Sequence, residues 1–399
     1  LRSFQSHIYF VIVLLQGMVF YAPAAGLYRV ERGLSVFDIT LIESISLIVM
    51  IALEIPMGFL AERIGYRKTI FFCNILFFLS KLVFWRADGC ALFLVERMML
   101  SVVCAGLSGC DSAYLFACAG ETDSAAAFSR YHALTTLGIV AAALVFTFGI
   151  GGNLDLSAEL TAVVYGAAAL LSFFLPEVEV PRAEHAPMRQ TVRFLRLRGG
   201  ETLRFLPYLA ACALLTQTAQ TVSVFLSQLQ YLRCGIATET MGLCYLAVQG
   251  AALSSAFSHR LSARLGETAF SSALFVAAAV SCAVLAVTRS TVLSVACVAA
   301  LSAAAALLGP SVMTVQNRQP GASFARAAVL SVYSMGTDGF SAGVSAAIGK
   351  AADGGLGRAF LCSAAFCAAG LGLYLFWARY VGTGDGRFTG GPDECSERT

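Results

Sequence analysis

The apolar residues of this 399-residue chain fall in long runs, and the length of those runs constrains the fold more than any other feature. Twelve stretches of roughly 18 to 28 residues carry few charges: 8–28, 38–60, 69–87, 91–118, 128–150, 157–175, 203–230, 238–257, 268–287, 291–315, 326–348 and 358–380. A helix rises 1.5 Å per residue, so about 20 apolar residues cross the roughly 30 Å hydrocarbon core of a bilayer. Charged residues make up only 13% of the chain, against about 25% in soluble domains, and the mean hydropathy is +0.76. The sequence predicts an all-α integral membrane protein of twelve transmembrane helices. The first run is too long for the apolar core of a cleavable leader and lacks a small-residue cleavage site, so it is expected to remain as the first span.

The longest polar interruption, "PEVEVPRAEHAPMRQTVRFLRLRGGETLRF", separates the sixth and seventh spans. Its early prolines, basic stretch and Gly-Gly pair predict a linker with an amphipathic surface helix. The expected organisation is therefore a six-helix bundle over 1–176, a cytoplasmic linker over 177–202, a second bundle over 203–382 and a cytoplasmic tail over 383–399. Most of the 27 Lys and Arg residues fall on one side when both termini are placed inside, so the cytoplasmic membrane with cytoplasmic termini is predicted. The net charge of +3 then reflects bases facing anionic lipid and points to no nucleic-acid partner. "LAERIG" at 60–65 and "LSARLG" at 261–266 lie between the second and third spans of their respective halves, which suggests two parallel repeats. Most of the 13 cysteines sit inside apolar runs without a CxxC pair and read as small packing residues, with Cys90 and Cys234 alone placed to pair in outer loops. The four histidines are scattered, and no metal or cofactor is expected.

The charged loop "GFLAERIGYRK" carries the first resemblance. Its Gly58, Leu60, Ala61, Arg63, Gly65, Arg67 and Lys68 are similar to the loop between helices 2 and 3 of the major facilitator superfamily, with Glu62 for the usual aspartate and Tyr66 as a departure. "EIP" at 54–56, "GLSGCDSAYLF" in the fourth span and "NRQPGASFARAAVLSVYSMG" leading into the eleventh resemble segments of the same family, and the likeness covers nearly the whole chain. It implies two pseudo-symmetric six-helix bundles with a cavity between them. It also implies that Gly58, Glu62, Arg63, Gly65, Arg67 and Lys68 form a gating loop. Glu62 would meet the N-terminal end of helix 11 near Phe324 to Ala327, and Arg63 or Arg67 would bridge to Glu121 or Asp123. The alternative is a plain charged loop that fixes topology.

Ionisable residues inside the spans each need a partner or a purpose, since one costs at least about 2.5 kcal/mol there. Counted along the helices, Glu43, Lys81 and Arg97 lie roughly 8–9 Å below the outer surface, on three helices of one half. They read either as a structural ion-pair cluster or, for Arg97, as part of proton coupling. Asp111 and Glu54 form a second level about 9–10 Å from the inner surface. Asp111 has small neighbours and is expected either to carry a coupling proton or contact substrate, or to bond a helix end or Arg130. Asp338 lies near mid-membrane in a glycine-rich stretch that suits close packing as well as a site. On the helices that the resemblance makes cavity-lining, the substrate candidates are Gln16, Tyr21, Tyr114, Gln217, Gln220, Tyr245, Gln249 and Tyr333.

No GxSxG, HExxH or GxxxxGK[ST] pattern is present, so no enzyme is expected. The resemblance implies a monomeric secondary transporter for a small molecule, working by alternating access among lipids, with protons as the coupling ion and export of amphipathic compounds as the direction. Proton-coupled uptake of a metabolite is the alternative, and a transporter-like receptor or scaffold the third.

Overall fold

A computed structural model of the chain describes residues 2–107, 110–119, 124–177, 188–318 and 326–380. The described residues are almost wholly helical. In the first half α1 (Arg2–Gly17), α2 (Ala25–Glu31), α3 (Val36–Ile64), α4 (Tyr66–Arg86), α5 (Gly89–Leu107), α6 (Cys110–Ala119), α7 (Ser124–Leu144) and α8 (Leu154–Ser172) make six crossings. In the second half α9 (Met188–Thr221), α10 (Ser227–Arg233), α11 (Met241–Ala252), α12 (Ser258–Leu265), α13 (Glu267–Val287), α14 (Thr291–Arg318), α15 (Arg326–Ala352) and α16 (Leu356–Tyr380) make six more. Eleven of the crossings are long and apolar enough to span a bilayer by composition alone. The other is α15, helical over 27 residues but diluted by Gly, Ser, Thr and Asp338.

Local sequence explains where the helices start and turn. Ser35 caps α3: its hydroxyl accepts from the Asp38 amide at 3.0 Å, and the Asp38 carboxylate accepts from the Ser35 amide at 2.9 Å. Gly65 ends α3 with φ 93° and ψ 145°, and Gly266 ends α12 with φ 81° and ψ 144°. That left-handed φ is cheap only for glycine, so the matched "LAERIG" and "LSARLG" segments build the same turn in each half. At 199–200, where a break was expected, α9 runs on without interruption. A helical glycine costs about 1 kcal/mol but keeps its N–H, so the ladder survives. The twelve described cysteines are all free, Cys90 and Cys234 included.

The two halves meet at one end. We call it the distal end, opposite the turns at Gly65 and Gly266. Ala24, Leu27 and Phe146 of the first half join the hydrophobic core of the second. Along α3 and α15 the Ser44 hydroxyl donates to the Ala342 carbonyl at 2.8 Å, and Ser345 donates to the Thr40 carbonyl at 3.4 Å. Gly349 lies against the Thr40 side chain with no room for a Cβ. Where α11 crosses α7, a Cβ at Gly242 would come within 2.6 Å of the Ala143 carbonyl. Small residues are what let helices in a bilayer approach this closely. Among the described residues, every hydrogen bond between the halves belongs to this distal seal.

One part of the seal follows from a break in the first crossing. Between α1 and α2 lies a 3₁₀ turn, Ala22–Ala24, containing Pro23, which cannot donate to a helical ladder. Restarting at Ala25 leaves first-turn amides without intrahelical acceptors. Gln228 of the other half supplies the acceptor: its Oε1 takes the Gly26 amide at 2.7 Å and the Leu27 amide at 2.9 Å. Gln228→Leu leaves both buried donors unmet, at about 1–3 kcal/mol each, only while the seal is closed. Spin labels at the exposed Glu31 and Glu239 should then show a longer-distance population several-fold larger than in the parent protein. An unchanged distribution would show that Gln228 contributes nothing to closure.

Candidate functional site

Arg29, Glu43, Lys81, Glu96 and Arg97 of the first half form one cluster of embedded charges. Glu43 of α3 pairs with Arg97 of α5, as the count along the helices anticipated. Lys81 is buried but takes a different partner: its Nζ donates to the Tyr21 hydroxyl at 3.0 Å and lies over the rings of Tyr21, Phe77 and Tyr165 at 5.6, 5.2 and 5.1 Å. An ammonium in hydrocarbon gains from such aromatic faces where no carboxylate is at hand. A further pair was not anticipated. Arg29 of α2, over the rings of Phe84 and Phe93, lies 3.7 Å from the carboxylate of the fully buried Glu96. Glu96 and Arg97 are adjacent, so they project about 100° apart on α5 and serve different partners.

Several polar candidates on the same half turn inward and join this framework. Gln16 donates to the Asn74 side chain at 2.8 Å, and its carbonyl accepts from the Tyr165 hydroxyl at 2.6 Å. Tyr21 stacks on Phe84 at 4.0 Å between ring centres. Tyr114 is fully buried and donates to the Pro176 carbonyl at 3.0 Å. These three side chains hold α1, α4, α6 and α8 together.

A polar cavity among the described residues lies in the second half, between α9, α11 and α14. It measures about 240 Å³ and brings together Thr216, Gln220, Ser223, Tyr245, Gln249 and Ser302 with alanine and valine side chains. Three of the sequence candidates, Gln220, Tyr245 and Gln249, meet there. Residues three and four apart share a helix face, which is how 216, 220 and 223, and likewise 245 and 249, reach one space. Ser223 lies in a π-helical turn, Val222–Leu226, a geometry that often marks functional sites. Its hydroxyl is buried without a hydrogen-bond partner. Val224 lines the same cavity and packs against the first-half cluster around Tyr21 and Tyr28, so the cavity adjoins the distal seal. Thr216, Ser223 and Ser302 were missed in the sequence, where hydroxyls on apolar helices are common and commonly bond their own backbone. Gln217 is buried and donates to Thr221 at 3.3 Å, and Tyr333 packs on Phe205 at 4.8 Å between ring centres, both outside the cavity lining.

Asp111, half-buried on α6, has no ion pair among the described residues, and Arg130 instead lies over the Phe10 ring. The buried Tyr9 hydroxyl of α1 lies near its carboxyl and has no hydrogen-bond partner, with Tyr114 5.3 Å and Tyr131 6.4 Å from the Tyr9 ring. Glu54 on α3 and Asp338 on α15, both half-buried, are close enough for their charges to interact across the two halves. In the charged loop Arg67 donates to the Phe173 carbonyl at 3.1 Å, while Arg63 and Lys68 are exposed. The surroundings of Gly58, the Glu62 side chain, and the expected partners Glu121, Asp123 and Phe324 lie outside what is described. A larger cleft of about 750 Å³ runs between α4 and α8, but its lining is apolar apart from Glu159, which suits lipid contact better than recognition.

The chain matches the family model described as Major Facilitator Superfamily over residues 8–346. No curated protein matches it by sequence. Among solved structures it is similar to a mutant of the nucleoside transporter NupG, with a TM-score of 0.81 at 15% identity over 94% of this chain and 99% of that one. A bacterial homologue of the human lysosomal transporter Spinster, inward-facing and unoccupied, gives 0.74 at 14% identity over 95% and 97%. A D-xylose–proton symporter gives 0.73 at 14% identity over 96% and 98%. At these identities the likeness establishes the fold.

Proposed function

The chain belongs to the major facilitator superfamily, a family of transporters and not of enzymes, and from that premise we propose proton-coupled export of a small amphipathic compound by alternating access. The observation that carries this reading is the pairing of a sealed distal end with a polar cavity directly beside the seal. A site next to a two-state gate is what rocking of one bundle against the other requires. The excess of Lys and Arg on the side of the termini supports a cytoplasmic placement for them. On that placement the distal end faces outward and this state is inward-facing. Asp111 is the proposed proton carrier, because it is embedded, half-buried and without a cation. An embedded carboxylate so placed is costly enough to favour taking up a proton.

The test is transport in proteoliposomes under an imposed pH gradient. Export coupled to protons predicts solute movement against the direction of proton flow, and movement that stops when an ionophore collapses the gradient. Solute and protons moving together would replace export by uptake. Transport indifferent to the gradient would remove proton coupling altogether.

A further inference from the structure

We infer that the cavity between α9, α11 and α14 recognises an uncharged, hydroxylated ring, a pentose or hexose unit either free or as the sugar of a nucleoside. The inference rests on the reading of this cavity as the transport site. Its first support is what the lining lacks. Among the described residues, none that bounds the cavity is Asp, Glu, Lys, Arg or His. Among the same residues the paired embedded charges are in the first half, held by Arg29, Glu96, Glu43 and Arg97. An ion entering the cavity would shed its hydration without meeting a counter-charge, a penalty of several kcal/mol. A neutral solute avoids that cost.

The second support is what the lining offers. Two carboxamides, three aliphatic hydroxyls and a phenol surround one small space, and each both donates and accepts except Thr216, which donates to the Cys212 carbonyl at 2.9 Å and can only accept. Ring hydroxyls do the same, so each can be satisfied twice. A carboxamide presents its oxygen and its nitrogen side by side and can therefore bridge two neighbouring ring hydroxyls. Gln220 and Gln249 are free to do so: neither is held by another side chain, and Gln220 is exposed although it lies in a membrane-spanning helix. The buried, unpartnered Ser223 hydroxyl is a group that a bound hydroxyl would satisfy. Alanines, valines and the Tyr245 ring provide an apolar wall for the C–H face of such a ring. A volume of about 240 Å³ is below the roughly 300–1,000 Å³ of sites for drug-sized ligands, so the cavity takes one ring, and the rest of a larger solute lies outside it.

The experiment separates binding from transport. Equilibrium binding to the purified protein would be measured for ribose, xylose, glucose and uridine, with tetraphenylphosphonium and glutamate as charged probes. Counterflow of the same probes would be measured in proteoliposomes. At least one hydroxylated probe should bind, and Gln220→Leu and Gln249→Leu should each weaken it about tenfold, the loss of roughly one hydrogen bond. Thermal stability should be unchanged in both variants. Uridine binding without ribose binding assigns the nucleoside, and ribose or a hexose binding alone assigns the free sugar. Binding of a charged probe in preference, or no binding of any hydroxylated probe at millimolar concentration, overturns the inference while leaving transport to be judged by counterflow. Hydroxylated probes that bind but never cross would overturn the transport reading and leave the ligand class standing.

Discussion

Arg29→Met is expected to lower the thermal midpoint of the purified protein by roughly 5–10 °C, the equivalent of about 3–5 kcal/mol for stranding a buried charge. The charge stranded is Glu96, which has no exposed surface and whose two carboxylate oxygens accept no hydrogen bond. Arg29 lies 3.7 Å away, so the pair is held by Coulomb attraction without a directed bond. Geometry of that kind makes the pair a poor net stabiliser, yet removing one partner leaves the other with nothing. A second variant isolates this effect. Arg29→Met combined with Glu96→Gln replaces two buried charges by none, and most of the lost stability should return, since buried pairs are often matched by neutral residues of similar size. If the single variant keeps the parent midpoint, Glu96 is neutral in the native protein and the pair is not ionic. If the double variant is no better than the single one, Arg29 acts through its packing on Phe84 and Phe93.

That pair also shows where the sequence was legible and where it was not. Apolar runs near 20 residues long allow almost nothing but membrane helices, and the glycine that closes each of the matched "LAERIG" and "LSARLG" segments shows in its φ why the repeat exists. Glu43 and Arg97 could be brought together by counting helical rise, because both lie well inside their spans. Arg29 lies just past the end of the first run, where a base reads as a loop residue, and so its pairing with Glu96 was not legible. Rotation about the helix axis was the other blind spot. Gln220 and Gln217 are both glutamines on α9, three residues apart, yet one lines the cavity and the other bonds Thr221. Polarity placed such residues on the right helices, but only packing decides which side faces a cavity. Gln228 was illegible for a further reason: it caps a helix that starts about 200 residues earlier, and the need for a cap arises only because Pro23 interrupts the first crossing.

Asp111→Asn is expected to abolish gradient-driven transport while leaving exchange at equal pH largely intact. The argument begins with the residue's surroundings. The titratable groups near it are hydroxyls and thiols: Tyr9 from α1, Tyr131 from α7, Cys73 from α4, and Cys110 from its own helix. None supplies a positive charge, and no ion pair reaches Asp111 among the described residues. A carboxylate so placed, with no cation facing it, has a strong reason to bind a proton inside the membrane. Asparagine keeps the shape of the neutral acid, so the fold should tolerate it. What it cannot do is gain and lose a proton as the halves rock. Coupling requires that gain and loss, whereas exchange of solute for solute does not. The measurement is therefore a pair of assays on one preparation: accumulation under a pH gradient, and counterflow without one. Loss of both, with a lowered thermal midpoint, would make Asp111 structural. Retention of both would move the coupling site to Glu54 and Asp338, the two carboxylates whose charges meet across the halves on α3 and α15 and whose mutual repulsion would change as those helices separate.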